Sequence, residues 1–186
     1  MSRGKMFVIS GASGVGKGTV LARIMAKRDD LTFSVSATTR PPRPGEVDGR
    51  EYYFLDREQF EEMIRCGEFL EYDEHAANYY GTPRRQAEEK MERGHVLLDI
   101  EPNGAAAVKK SAPEATLIFI MPPSMEELER RLRGRGDTSE EQIAMRLERA
   151  VWEMEQRSWY NYVVVNDDVD RCAEEILAII AEKADK

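Results

Sequence analysis

Cysteine is scarce. The only two, Cys66 and Cys172, lie far apart and in no metal-ligand spacing, which argues against a disulfide framework or a zinc site and for a reducing cytoplasm. Excess positive charge is missing as well: 27 Lys and Arg against 35 Asp and Glu leave a formal net charge of −8. Proteins that coat nucleic acid normally present a broad basic face, so nucleic acid is not expected as a partner, whereas a mononucleotide needs only a few local cations. No uninterrupted apolar run approaches membrane-spanning length, so no membrane partner is expected. The opening MSRGK runs straight into MFVIS, leaving no room for the apolar segment and cleavage site of a signal peptide, and a cytoplasmic protein is expected. Internal repeats and low-complexity tracts are absent too. What remains is 186 residues, enough for one α/β domain with a well-buried core and a small inserted lobe. Nothing in the sequence sets the oligomeric state.

Apolar runs of strand length recur between helical stretches: MFVIS (6–10), FSVSA (33–37), VLLDI (96–100), TLIFIM (116–121) and YVVVN (162–166). This alternation predicts a parallel sheet covered by helices on both faces. Helices are expected from Gly16 to about Arg28, Arg57 to Cys66, Pro83 to Arg93, Ser124 to Arg133, Ser139 to about Trp159, and Val169 to the C-terminus. Ser124 with Glu127, and Ser139 with Gln142, have the spacing of capping boxes. Residues 38–95, richer in Tyr, Pro, Arg and Glu, with a short strand-like piece around EYYFL (51–55), suit an inserted lobe that meets a second substrate.

Between the first strand and the first helix lies GASGVGKGT: Gly11, Ala12, Ser13, Gly14, Val15, Gly16, Lys17, Gly18 and Thr19. Strand, glycine-rich turn and helix in succession form the context in which G-x-x-x-x-G-K binds nucleotide phosphates. The glycines let backbone N–H groups approach the phosphate oxygens, the helix start adds its positive dipole end, and Lys17 supplies a mobile charge. An ordinary glycine-rich turn is the competing reading. One piece is missing, because the residue after the lysine usually carries a metal-binding hydroxyl and here it is Gly18. Thr19 lies about 100° further round the helix and is no direct replacement. The expectation is that Mg²⁺ arrives with ATP, keeps most of its water shell, and touches the protein mainly through water, with no residue assigned as its ligand.

SVSATTRPPRPGE (34–46) places Ser36, Thr38 and Thr39 before Arg40 and Arg43, in a backbone stiffened by Pro41, Pro42 and Pro44. Two guanidinium forks held this way suit one phosphate, and a solvated Pro-Arg loop is an equal reading. Further on, a carboxylate such as Glu71 can accept from both N1–H and N2–H₂ of guanine while Ser36 or Thr82 donates to O6; adenine would turn a lone pair toward the same carboxylate. Tyr52, Tyr79 and Tyr80 also read as half-buried strand packing.

Taken together, ISGASGVGKGT, FSVSATTRPPRPGEVDGREYYF, FLEYDEHAANYYGT, VLLDIE, IFIMPPS, LRGRG and VVVND, in that order, resemble the guanylate kinase family over nearly the whole chain. The resemblance implies a P-loop kinase three-layer α/β fold with a central parallel five-stranded sheet. Its core would span 1–37 and 96–186, with a GMP-binding lobe at about 38–95 and a lid at about 134–147. It implies transfer of the γ-phosphoryl of ATP to GMP, and to dGMP, in purine nucleotide metabolism. The implied GMP site is Ser36, Arg40, Arg43, Tyr52, Glu71, Tyr80, Thr82 and Asp99, with Glu101 as a second acid near the guanine amine. Arg40, Arg43, Tyr52 and Tyr80 would hold the GMP phosphate, and Ser36, Glu71 and Thr82 would read the base. Arg135, in the glycine-flanked turn GRGDTS (134–139), and Arg146 would reach the phosphates on lid closure and join Lys17, Arg40 and Arg43 in catalysis. Asn166 and Asp167 are placed near the adenine. Ala12 departs from the proline that many members carry. Guanylate-kinase-like domains that bind peptides keep the fold without the chemistry, and the presence of Lys17, Arg40, Arg43 and Arg135 argues against that alternative.

Overall fold

The computed structural model describes residues 3–75, 77–134 and 139–184. Five parallel strands make the central sheet in the order β2-β7-β1-β8-β9, from β1 (Met6–Gly11), β2 (Leu31–Phe33), β7 (His95–Asp99), β8 (Thr116–Met121) and β9 (Tyr162–Val165). β1, at the centre, is buried at all six positions, whereas edge strand β9 alternates and leaves Val163 and Val165 exposed. A strand covered on both faces reads as a continuous apolar run; an edge strand does not. A second, four-stranded sheet has the order β4-β3-β6-β5, from β3 (Ala37–Thr38), β4 (Tyr53–Phe54), β5 (Phe69–His75) and β6 (Asn78–Pro83). The helices are α1 (Lys17–Met25), α2 (Arg57–Arg65), α3 (Arg84–Met91), α4 (Pro102–Ser111), α5 (Met125–Arg133), α6 (Glu140–Glu155) and α7 (Val169–Ala184), with a 3₁₀ turn at Gln156–Trp159.

The chain divides into two compact units, one made of the chain up to Met6 with Asp30–Ala115, the other of Phe7–Asp29 with Thr116 onward. In the second, α1 packs on α7, burying Val20, Leu21 and Ile24 of the one and Cys172, Ile176 and Ile180 of the other at helical spacing. In the first, Phe60 of α2 stacks on Phe69 at 4.4 Å and on Tyr79 at 5.1 Å between ring centroids, which ties α2 to the four-stranded sheet. Both cysteines are free, Cys66 exposed and Cys172 buried, and burial pushes the Cys172 thiol up to about 11.

Three expectations need correction. The run 33–37 is two strands, not one: Ser34 donates its N–H to Leu97 of the five-stranded sheet, while Ser36 offers its carbonyl to Tyr53 N–H, so the chain changes sheets between them. Helix α4 was not foreseen, although Pro102 at its first position carried the signal. Ser139 and Gln142 form the full capping box, but Ser124 gives only the forward half, because Arg130 and Arg131 hold the Glu127 carboxylate that would have completed it. A complete box at Asp56 and Gln59 went unnoticed.

Candidate functional site

The glycine-rich loop joins β1 to α1 within the unit that contains Phe7–Asp29. Gly14 and Gly16 have φ of 87° and 91°, a region costly for residues with a Cβ, and a Cβ on Gly14 would sit 2.5 Å from Leu132. Val15 N–H donates to Ala12 carbonyl at 3.0 Å and closes the turn. The Val15 carbonyl accepts from Asn166 Nδ2 at 2.8 Å and from Arg131 Nη1 at 3.1 Å, and Ser13 N–H donates to Glu153 Oε2 at 2.7 Å. Lys17 opens α1 half-buried, with Gly18 and Thr19 exposed beside it. Asn166 is 1% exposed, so it serves the loop's backbone, and its Oδ1 is buried without a partner. Arg146 is half-buried on α6. Arg135, with Gly136, Asp137 and Thr138 of the expected lid, lies outside the described residues.

In the other unit, a cavity of about 260 Å³ is lined by Ser36, Tyr52, Glu71, Tyr80 and Asp99, together with Glu101 and Gly104. That volume lies just below the range for drug-sized small-molecule sites, roughly 300–1,000 Å³. Five of the eight expected GMP residues therefore share one wall. A β-bulge contributes to this: Phe69 pairs with Pro83 but Glu71 with Thr82, so one extra residue on β5 sets Glu71 directly beside Thr82. Thr82 donates its hydroxyl to Glu71 Oε1 at 2.6 Å, and both are buried. Thr82 does not line the cavity; its proton is committed to Glu71. The other carboxylate oxygen lies toward Gly104, where an added Cβ would stand 2.8 Å from Oε2. Gly104 lines the cavity, so Oε2 is the oxygen on the cavity side. Burial pushes the Glu71 carboxyl above its ordinary range, Thr82 counteracts this, and Asp73 and Glu101 add to the rise.

Tyr52 and Tyr80 meet edge to face at 6.1 Å on the cavity wall, and burial raises the Tyr52 phenol. Tyr79 packs into the small core instead, its hydroxyl accepting from Arg57. Arg40 and Arg43 are outside the cavity lining. Arg40 lies over the rings of Tyr52 and Phe54, at 5.5 and 5.8 Å from their centroids, and grips both oxygens of Glu46 at 2.9 Å. Arg43 N–H donates to the same carboxylate at 2.7 Å, and this bond leads the causes that hold Glu46 below its ordinary range. The Pro-Arg loop thus wraps an anion of its own. Thr38 and Thr39 hydroxyls bond the backbone of Tyr79 and serve the sheet. Asp73 and His75 also line the cavity and were missed, although they alternate with Glu71 along β5 and so share its face.

A model of the guanylate kinase family matches residues 3–183. The chain belongs to the guanylate kinase family. Among its relatives, the guanylate kinase of Thermus thermophilus is 53% identical over 179 residues, covering 96% of this chain and 81% of that protein. That of Streptococcus thermophilus is 52% identical over 180 residues, covering 96% and 86%. The crystal structure of guanylate kinase from Anaplasma phagocytophilum superposes with a TM-score of 0.76 at 36% identity, covering all of this chain and 88% of that one. A guanylate kinase is a nucleotide phosphotransferase, in keeping with a glycine-rich loop that opens a helix. Among the described residues no helix is long and apolar enough to cross a membrane.

Proposed function

We propose that the protein transfers the γ-phosphoryl group of ATP to GMP, and to dGMP, giving ADP and GDP or dGDP in the cytoplasm. The observation that carries the acceptor's identity is the buried Glu71 carboxylate, with Oε1 engaged by Thr82 and Oε2 left on the cavity side. A pure acceptor there suits guanine, whose N1–H and N2–H₂ donate side by side, and leaves adenine N1 facing a lone pair. Ser36, Asp99 and Glu101 border the same cavity and complete a polar frame for the base. Arg40 and Arg43, backed by Tyr52 and Tyr80, take the GMP phosphate, with Glu46 holding their loop in shape until it arrives. The nine residues from Gly11 to Thr19 take the phosphates of ATP. In this reading 38–95 is the GMP-binding lobe and 134–147 the lid.

An oxygen of the GMP phosphate attacks the γ-phosphorus in line, a new P–O bond forms, and the bond to the β-phosphate oxygen breaks with ADP leaving. The attacking oxygen is already anionic at neutral pH, so no general base is needed. Lys17, Arg135 and Arg146 supply positive charge to the equatorial oxygens and orient the transferring group. Mg²⁺ fits this chain as a companion of ATP. A Cβ on Gly18 would meet nothing within 4 Å, so the space beside Lys17 is open to a hydrated ion. When bound with ATP, Mg²⁺ would supply positive charge to the nucleotide phosphates, beside the open helix start at Gly18 and Thr19.

A coupled assay for ADP with GMP, dGMP, AMP, CMP and UMP as acceptors tests the reading. GMP and dGMP should be consumed and the others barely; a folded protein that makes no GDP from ATP, GMP and Mg²⁺ would refute it.

A further inference from the structure

Glu153 plays no part in the mechanism above, yet it is a carboxylate only 2% exposed on the C-terminal half of α6. A carboxylate is left in such a place only where its oxygens are engaged. One is: Oε2 accepts from the backbone N–H of Ser13, at 2.7 Å and across 140 residues of chain. The other accepts from Arg149 Nε at 3.0 Å, one turn back on the same helix. The Ser13 N–H belongs to the peptide whose carbonyl, on Ala12, accepts from Val15 N–H. That peptide is therefore gripped at both ends, and its plane fixes the direction in which the chain enters Gly14, Val15 and Gly16. A loop that must turn successive amides toward phosphate oxygens gains when a peptide at its entry cannot rotate, because the ordering is done before the ligand arrives.

We infer that Glu153 is a positioning residue for the nucleotide loop: through Ser13 N–H it sets the Ala12–Ser13 peptide in the orientation that receives ATP. The inference rests on the proposal that this loop binds ATP. Arg149, itself partly exposed, neutralises the carboxylate so that a buried negative charge can stand behind a site for a polyanion. The same helix carries Arg146, so Glu153 ties the loop to the element that presents a second phosphate-directed cation.

The test compares Glu153→Leu, which fills the space with no acceptor, Glu153→Gln, which keeps one, and Arg149→Met, which removes the ion pair and leaves the acceptor to Ser13. Binding of ATP alone is measured by titration calorimetry, KM for each nucleotide by the coupled assay, and folding by circular dichroism and melting. E153L should weaken ATP by about tenfold or more and leave KM for GMP within about twofold, with E153Q and R149M within about threefold of wild type. Wild-type affinity for ATP in folded E153L would overturn the inference. So would equal losses in E153L and E153Q, or equal losses for both nucleotides. If E153L does not fold, Glu153→Asp serves, since it keeps the charge but withdraws the oxygen from Ser13; unchanged ATP affinity there overturns the inference too. Failure of the wild type itself to bind ATP would strike the proposed function instead, so the two failures are distinguishable.

Discussion

Replacing Glu71 by Gln separates the two oxygens of one side chain. Thr82 donates to Oε1 at 2.6 Å, so the Gln carbonyl takes that place and the amide NH₂ takes the place of Oε2, on the cavity side. A guanine that met an acceptor then meets a donor opposite its own donors. Two charge-assisted bonds of about 1.5–3 kcal/mol each are lost, a total of about 3–6 kcal/mol or roughly 10²–10⁴-fold in kcat/KM for GMP. The fold should not suffer. Burial raises the Glu71 carboxyl, so the folded state holds its proton more tightly than the unfolded chain, and the charge costs stability as pH climbs through the raised value. The neutral amide removes that cost, and E71Q should melt at or above the wild-type temperature at pH 7. Wild-type KM for GMP should rise as pH falls through the raised value, because only the ionised acid accepts twice. In E71Q this limb should vanish, leaving the second ionisation of the phosphate near pH ~6. AMP, whose N1 can accept from the new amide, should gain relative to GMP. The assay is kcat/KM for GMP and AMP from pH 5 to 8, with melting curves alongside. A GMP kcat/KM within about threefold of wild type in well-folded E71Q would refute the placement of Oε2 toward the base.

Gly104→Ala brings a Cβ to 2.8 Å from Glu71 Oε2, so it should raise KM for GMP by about tenfold while KM for ATP holds; adding Glu71→Asp, which shortens the acid, should restore part of the loss, and steady-state kinetics of both mutants decide the matter. Lys17→Ala or Arg146→Ala should cut kcat by roughly 10²-fold or more in single-turnover measurements, and unchanged turnover would remove that residue from catalysis. Arg130 and Arg131 hold the Glu127 carboxyl down at about 2, so the stability it adds is present above the ordinary value of 4.5 and is lost as pH falls from there toward 2. Glu127→Gln should flatten the dependence of melting temperature on pH across that window, and an unaltered acid limb would contradict the assignment.

The order of elements was written into the sequence to a large extent, because it depends on short-range physics. MFVIS is apolar at four of its five positions and became the buried central strand, and the glycine-lysine turn after it leads into a helix. The box at Ser139 and Gln142 follows from four consecutive residues. Local pattern fails where a distant partner decides. FSVSA looks like one strand, yet backbone bonds to Leu97 and Tyr53 draw its two ends into different sheets. Thr82 has the chemistry to read a base, and only a bulge on the neighbouring strand turned its hydroxyl toward Glu71. Asp73 and His75 were legible by their alternation with Glu71, but nothing in alternation says which face of a strand lines a cavity.

Residue types and their spacing thus determined by themselves a glycine-rich turn between strand and helix, a pair of arginines in a stiff segment, and acids in the lobe proposed to meet guanine. Which oxygen of Glu71 is available, that Glu46 is the anion the arginines already hold, and that Glu153 stands behind Ser13 were decided only by the tertiary structure. Hydrogen bonds and burial join positions up to 151 residues apart, and a one-dimensional pattern has no term for such distances.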